Sequence, residues 1–269
     1  MPDEQIKVRY EDHMGSDLTC VNAARVSYGR RSDLEETSDG SFKLRITDKR
    51  LIQFLARGMQ TDDANKFSAS VAEMGARACT ELNVDSLSVL EDMLWTFRDT
   101  GEHKSPFNHC FVSFVVEAPI FVARQLVKHE YLPWNEMSGR YIELDQMFTP
   151  TKYRSKVRDK KQGSGKALKG EHNDFLTALF QDQNAYSFQA YKDAIAMGLC
   201  EEQARGLLPL NTMTQWWWSG SLGAFAKMCR LRLAPDAQYE SQLVARQISD
   251  KMLELFPESW KALVLREFN

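Results

Sequence analysis

Residues 109–129, HCFVSFVVEAPIFVARQLVKH, constrain the fold more than any other stretch. The first half, His109 to Pro119, is β-branched and aromatic and predicts a buried strand. Pro119 ends it. Proline has no N–H for a sheet ladder, but its fixed φ suits the first turn of a helix. On that helix Gln125, Lys128 and His129 fall at i, i+3 and i+4, so one face is polar. A strand that turns directly into a half-polar helix implies an α+β chain with chemistry on the helix face.

The remaining segments are mostly helical in pattern. IKVRY, near the N-terminus, is strand-like, and Asp17 is placed to cap a short helix through Ala24. Residues 30–41 are polar and read as a loop. DKRLIQFLARGM has Leu51, Ile52, Phe54 and Leu55 at helical spacing. Residues 60–100 read as mainly helical and as an insertion. The segment EYLPWNEMSGRY reads as irregular, broken by Pro133 and Gly139. Residues 151–170 hold eight Lys or Arg against one Asp and read as a solvated basic loop, or as one that attracts an anionic substrate tail. A helix follows with Tyr186, Phe188, Tyr191 and Ile195 on its apolar side and Gly198 as its stop. The run Trp216–Trp217–Trp218 reads as helical and as packing. The last helix repeats apolar residues at 239, 243, 248, 252 and 255 and ends before Pro257. The expectation is one α+β domain over 1–269, mostly helical with a small central antiparallel or mixed sheet.

Composition excludes several classes. A net charge of −3 does not suit a general nucleic-acid surface. Five cysteines, none in C-x-x-C spacing, suggest neither a disulfide framework nor a metal site. A reducing, cytoplasmic setting fits, which would be the host cytoplasm for a virus-encoded chain. The charged start carries no apolar segment of signal-peptide type, and no apolar run reaches the roughly 20 residues that span a bilayer. There is no P-loop and no G-x-G-x-x-G after a strand.

Four arginines stand out. Arg124, Arg140, Arg205 and Arg232 sit beside apolar or small residues rather than in charge runs. An arginine in such a setting needs an anionic partner, either a protein carboxylate or a ligand phosphate. Taken alone, His129 reads as a structural histidine, Ser138 lacks a nearby histidine to activate it, and Cys110 reads as buried and inert.

Four segments together carry a resemblance. SPFNHCFVSFVVEAPIFVARQLVKHEYLPWNEMSGRY, AARVSYG at 23–29, LPLNTMTQWWWSGSL at 208–222 and LRLAPDAQYE at 231–240 resemble the flavin-dependent thymidylate synthases, the ThyX family. The family signature is Arg-His-Arg, seven residues, then Ser. Lys128-His129-Glu130, seven residues and Ser138 keep that spacing. The resemblance implies a homotetramer that reductively methylates dUMP to dTMP, with FAD as cofactor and NADPH and methylenetetrahydrofolate as co-substrates. By motif position it implies that Gln125, Lys128, Glu136, Ser138, Gly139, Arg140, Arg205 and Arg232 bind dUMP, with Arg232 as the catalytic cation. It implies that His103, Ser105, Lys128, His129, Glu130 and Glu136 lie at the flavin, and the alignment adds Ser221, Gly223 and Lys227.

Departures gather on the flavin side. Glu130 replaces a family cation, and Ser221, Gly223, Lys227 and Asp236 also differ from the usual residues. Glu130 must point away, be neutralised by Lys227 or the basic loop, or alter FAD binding. Two other readings follow: C5-hydroxymethylation of dUMP or dCMP on the same scaffold, with altered or lost flavin use, and nucleotide binding without catalysis.

Overall fold

The computed structural model describes residues 5–57, 103–157 and 163–265. Its contacts divide the chain into two compact units, one from Met1–Met14 with Phe111–Glu254, the other from Gly15–Cys110 with Leu255–Asn269. The architecture is α+β, mainly helical with a small sheet. The helical expectation for 60–100 lies outside the described residues.

In the first unit, β1 (Lys7–Met14), β4 (Phe111–Pro119), β5 (Trp134–Glu136) and β6 (Met213–Ser221) form a sheet in the order β1-β4-β6-β5. Every pairing is antiparallel. The run from Phe111 is a strand as expected, and β4 pairs with β6 from Phe111↔Ser221 to Pro119↔Met213. Val112, Phe114, Val116 and Ala118 alternate into the core. Helix α3 (Ile120–Leu126) follows at once, with Pro119 in its N-cap position.

The tryptophan run is not helical. Trp216 and Trp218 lie buried on one face of β6, and Trp217 is exposed on the other. Period 2, not 3.6, separates them. Trp134 of β5 stacks on Trp216 with ring centroids 4.3 Å apart. The segment 130–141 is therefore not wholly irregular, because Trp134–Glu136 pairs with Trp216–Trp218 as an edge strand. Ser221 then caps α6 (Leu222–Arg232) by accepting from the Ala224 N–H. Phe225 of α6 meets Phe114 and Trp218 edge-on at 5.3 and 5.4 Å. Each such fully buried side chain contributes about 1.5–3 kcal/mol.

Three further helices complete this unit: α4 (Glu171–Ala196), α5 (Glu201–Ala204) and α7 (Tyr239–Leu255). Gly198 adopts φ of 91° just past α4, as its stop role requires. Tyr191 is buried, whereas Tyr186, expected on the apolar side, is exposed together with Phe175 and Leu179.

The second unit contains α1 (Asp17–Arg25), a two-residue pairing of β2 (Glu35–Glu36) with β3 (Phe42–Lys43), α2 (Ile46–Arg57) and α8 (Pro257–Trp260). The polar stretch 30–41 is thus not all loop. Ser16, not Asp17, is the N-cap of α1. The Asp17 carboxylate instead accepts from the N–H groups of Glu258 and Ser259, at 2.8 and 2.9 Å, in the first turn of α8. Capping chemistry was legible at Asp17, but its helix is 241 residues away in sequence. Cys20 and Cys110 are buried with their Sγ atoms 3.5 Å apart, as free thiols.

Candidate nucleotide and cofactor site

A cavity of about 500 Å3 opens on the polar face after α3. Gln125, Lys128 and Arg232 line it, with Arg124, Arg154 and Asp236. Four cations thus face one carboxylate. Among the described residues Arg154 is the cation of this cavity that is held by a carboxylate. Its Nη2 donates to both Glu240 oxygens, at 2.8 and 2.9 Å, and Glu240 is buried.

Arg232 ends α6 and has no anionic partner among the described residues. Its Nε donates to His129 Nε2 at 3.0 Å, and its Nη2 donates to the Gln125 carbonyl at 3.2 Å. Burial lowers Arg232 from its ordinary value. His129 is pushed down to about 4 by burial first, then by the Arg232 and Lys227 charges. It is therefore neutral near pH 7, as an acceptor from Nε must be. The Gln125 side chain is fixed as well: it donates to Gln238 and accepts from the Ser241 hydroxyl.

Glu130 does not stand as a free anion. Lys227 Nζ donates to its Oε2 at 3.3 Å. Of the three ways in which Glu130 could be accommodated, this arrangement is neutralisation by Lys227. Gly223 stands in the first turn of the same helix, and the Ser221 hydroxyl serves as its cap.

The other half of the expected nucleotide grip forms a separate group. Arg140 donates from its backbone N–H and from Nε to Ser138 Oγ, both at 3.3 Å. Gly139 is buried against Arg205: a Cβ there would lie 3.6 Å from Arg205 Cδ and 2.9 Å from Leu144 Cδ1. Glu136 accepts from Thr214 Oγ1 at 2.7 Å and from Trp134 Nε1 at 3.2 Å. Among the described residues no hydrogen bond or ion pair joins Ser138, Arg140 or Arg205 to the cavity around Arg232. One chain therefore presents two cationic groups.

In the second unit, His103 and Ser105 line a cavity of about 670 Å3. The His103 ring stacks on Phe54 at 6.0 Å. Arg25, Ser27, Arg30 and Arg50 line the same space and were not singled out from sequence. AARVSYG had marked the region without marking these residues. Arg25 is held by Asp48 at 2.5 Å, while cations and aromatic faces around the rest suit an aromatic, anionic ligand such as a flavin nucleotide. No group of three or more metal-ligating side chains occurs among the described residues.

Comparisons with known proteins bear on the family and the fold. The family model described as "Thymidylate synthase complementing protein" matches residues 10–258. The chain is 32% identical over 256 residues to a flavin-dependent thymidylate synthase of Thermus thermophilus, covering 95% of this chain and 74% of that one. It is 29% identical to the protein of the same name from Thermosipho africanus, covering 96% and 90%. Its fold matches the UMP/dUMP methylase PolB from Streptomyces cacaoi, solved with 5-Br dUMP, at a TM-score of 0.67 and 22% identity, covering 96% and 94%. The chain belongs to the thymidylate synthase complementing protein family, the ThyX family.

Proposed function

We propose that the protein is a flavin-dependent thymidylate synthase. It converts dUMP to dTMP with methylenetetrahydrofolate as carbon donor and NADPH as reductant. The carrying observation is Arg232, a partly buried cation whose described partners, His129 and the Gln125 carbonyl, are both neutral. Such a cation is free to meet charge that develops on a ligand.

In this reading Arg232 faces the pyrimidine edge and stabilises negative charge as C5 becomes nucleophilic. At about 4 Å and an effective dielectric near 20 such a contact is worth roughly 4 kcal/mol, about a thousandfold in rate if confined to the transition state. Gln125, with both ends of its amide engaged, orients the base. Ser138, Gly139, Arg140 and Arg205 suit the dianionic 5′-phosphate, and because they form a separate group in one chain they would serve the site of a neighbouring subunit in the homotetramer. Cationic and aromatic walls around His103 and Ser105, and the neutralised Glu130, support retention of FAD. Bound flavin supplies the hydride chemistry, so the cavity around Arg232 needs no cysteine nucleophile. The exposed apolar stripe of Phe175, Leu179 and Tyr186 along α4 supports a subunit contact, in keeping with a homotetramer.

One preparation tests the reading. The visible spectrum is recorded, and the product from dUMP, methylenetetrahydrofolate and NADPH is weighed. Flavin absorbance and a dTMP mass are expected, with turnover abolished in a folded Arg232→Ala variant. A colourless protein that makes no dTMP with added FAD would overturn it. A product one oxygen heavier than dTMP would point to hydroxymethylation.

A further inference from the structure

The guanidinium group of Arg232 has five N–H donors in a fixed plane. Nε and Nη2 share one edge of that plane, and both are committed, to His129 Nε2 and to the Gln125 carbonyl. Among the described residues nothing accepts from the terminal fork, both N–H groups of Nη1 and one of Nη2. Arg232 lines the cavity with Gln125 and Lys128, so the fork is the part available to a ligand there. Both acceptors belong to the turn that ends α3. The Gln125 carbonyl is one of the last four of its helix and has no partner within it. The His129 N–H closes on the Leu126 carbonyl at 3.1 Å, which fixes the imidazole's backbone.

We propose that His129 is a positioning residue for Arg232, its neutral imidazole accepting from Nε and setting the direction in which the fork meets the pyrimidine. The assignment rests on the nucleotide reading above and deepens it. By motif position His129 belongs only to the flavin side. The bond to Arg232 gives it work on the nucleotide side, exerted through Arg232.

Chemistry restricts the state that can do this. An imidazole nitrogen accepts only without a proton, so the hydrogen sits on Nδ1. The charged groups facing His129 favour that form. Arg232 and Lys227 approach from α6, and of its two chain neighbours, Lys128 adds a cation while Glu130 is taken up by Lys227. Protonated His129 would set two cations 3.0 Å apart with no acceptor between them, and the fork would swing away.

The test compares wild type, His129→Gln and His129→Leu. Glutamine keeps an acceptor at comparable reach, and leucine removes it. Turnover of dUMP to dTMP, the affinity for dUMP alone, and the 15N resonance of Arg232 Nε, assigned by its loss in Arg232→Lys, are read from pH 7 to pH 4, where half of His129 is protonated. The expected result is a loss of kcat of about 100-fold in His129→Leu, the scale of a misplaced catalytic group. His129→Gln should recover most of it. The Nε resonance should move on acidification in wild type and stay still in His129→Gln. Wild-type kcat in His129→Leu, or an Nε resonance unchanged between wild type and His129→Leu, would overturn the proposal. Should the leucine variant fail to fold, the pH series on wild type and His129→Gln still decides it. If wild type makes no dTMP while its Nε resonance and dUMP affinity respond to His129 as described, the synthase reading falls and the positioning role stands.

Discussion

Lys227 Nζ lies 3.3 Å from Glu130 Oε2, across from a position where the family signature carries a cation. Both side chains are more than half exposed, so the pair adds little to stability. Its consequence is electrostatic: without Lys227 an unpaired carboxylate would face the region expected to hold the anionic cofactor. Lys227→Ala should leave the melting temperature nearly unchanged, within about 0.5 kcal/mol of wild type. Bound flavin per subunit, read from visible absorbance, should fall. The double variant Glu130→Gln/Lys227→Ala should recover it. Equal flavin content in Lys227→Ala and wild type would show that the pair has no such role.

Asp17 should matter to stability more than its place at the start of α1 suggests. It is buried, and both carboxylate oxygens accept backbone N–H groups of α8. Asp17→Ala leaves the buried Ser259 N–H and the half-buried Glu258 N–H unpaired and should cost about 1–3 kcal/mol. Asp17→Asn, which keeps one acceptor oxygen, should cost less. Urea denaturation of the three proteins makes the comparison.

His129 should leave a mark on the pH dependence of stability. It is pushed down to about 4 in the fold, against an ordinary value of 6.5. Between those values the unfolded chain binds more protons than the folded one, so stability rises with pH. This contribution is fully present above pH 6.5 and is lost as pH falls toward 4. His129→Gln should flatten the loss in this window, seen as a smaller difference between denaturation midpoints at pH 7 and pH 5. Parallel curves for the two proteins would argue against the neutral imidazole.

Gly220 on β6 sits where there is little room for a side chain. A Cβ there would run into the Leu132 side chain and approach the Tyr131 carbonyl at 3.2 Å. Tyr131 itself holds a left-handed φ of 61°, in the loop that carries Glu130 on one side and β5 on the other. Gly220→Ala should destabilise by about 1–3 kcal/mol, the range for overpacking a filled site. Nucleotide affinity should fall with it, measured by dUMP titration at a temperature where the variant is folded.

Two of the four strands in the main sheet, β1 and β4, were legible because their signals are local. The β-branched run up to Pro119 became β4, with α3 following it. But α3 stops at Leu126, so Lys128 and His129 lie in the turn beyond it rather than on the expected helix face, and Gln125 and Lys128 still line one cavity. The tryptophan run misled because all three residues are apolar, so no polar alternation marked its period, although aromatic enrichment favours strands. Strand β5 was hidden for a different reason. Its three residues are specified by pairing with β6, some 80 positions away, not by their own propensity. Likewise Glu240 became a partner for Arg154 only through folding, and Arg25, Arg30 and Arg50 became cavity walls only once α1 and α2 were in place.

The stacked indoles of Trp134 and Trp216 have an optical consequence. Two such chromophores with centroids 4.3 Å apart couple their electronic transitions, which gives the folded protein a paired circular-dichroism band that separated indoles lack. Trp134 lies four residues before Ser138, so that band reports, without any label, whether the segment leading to Ser138 is seated on the sheet.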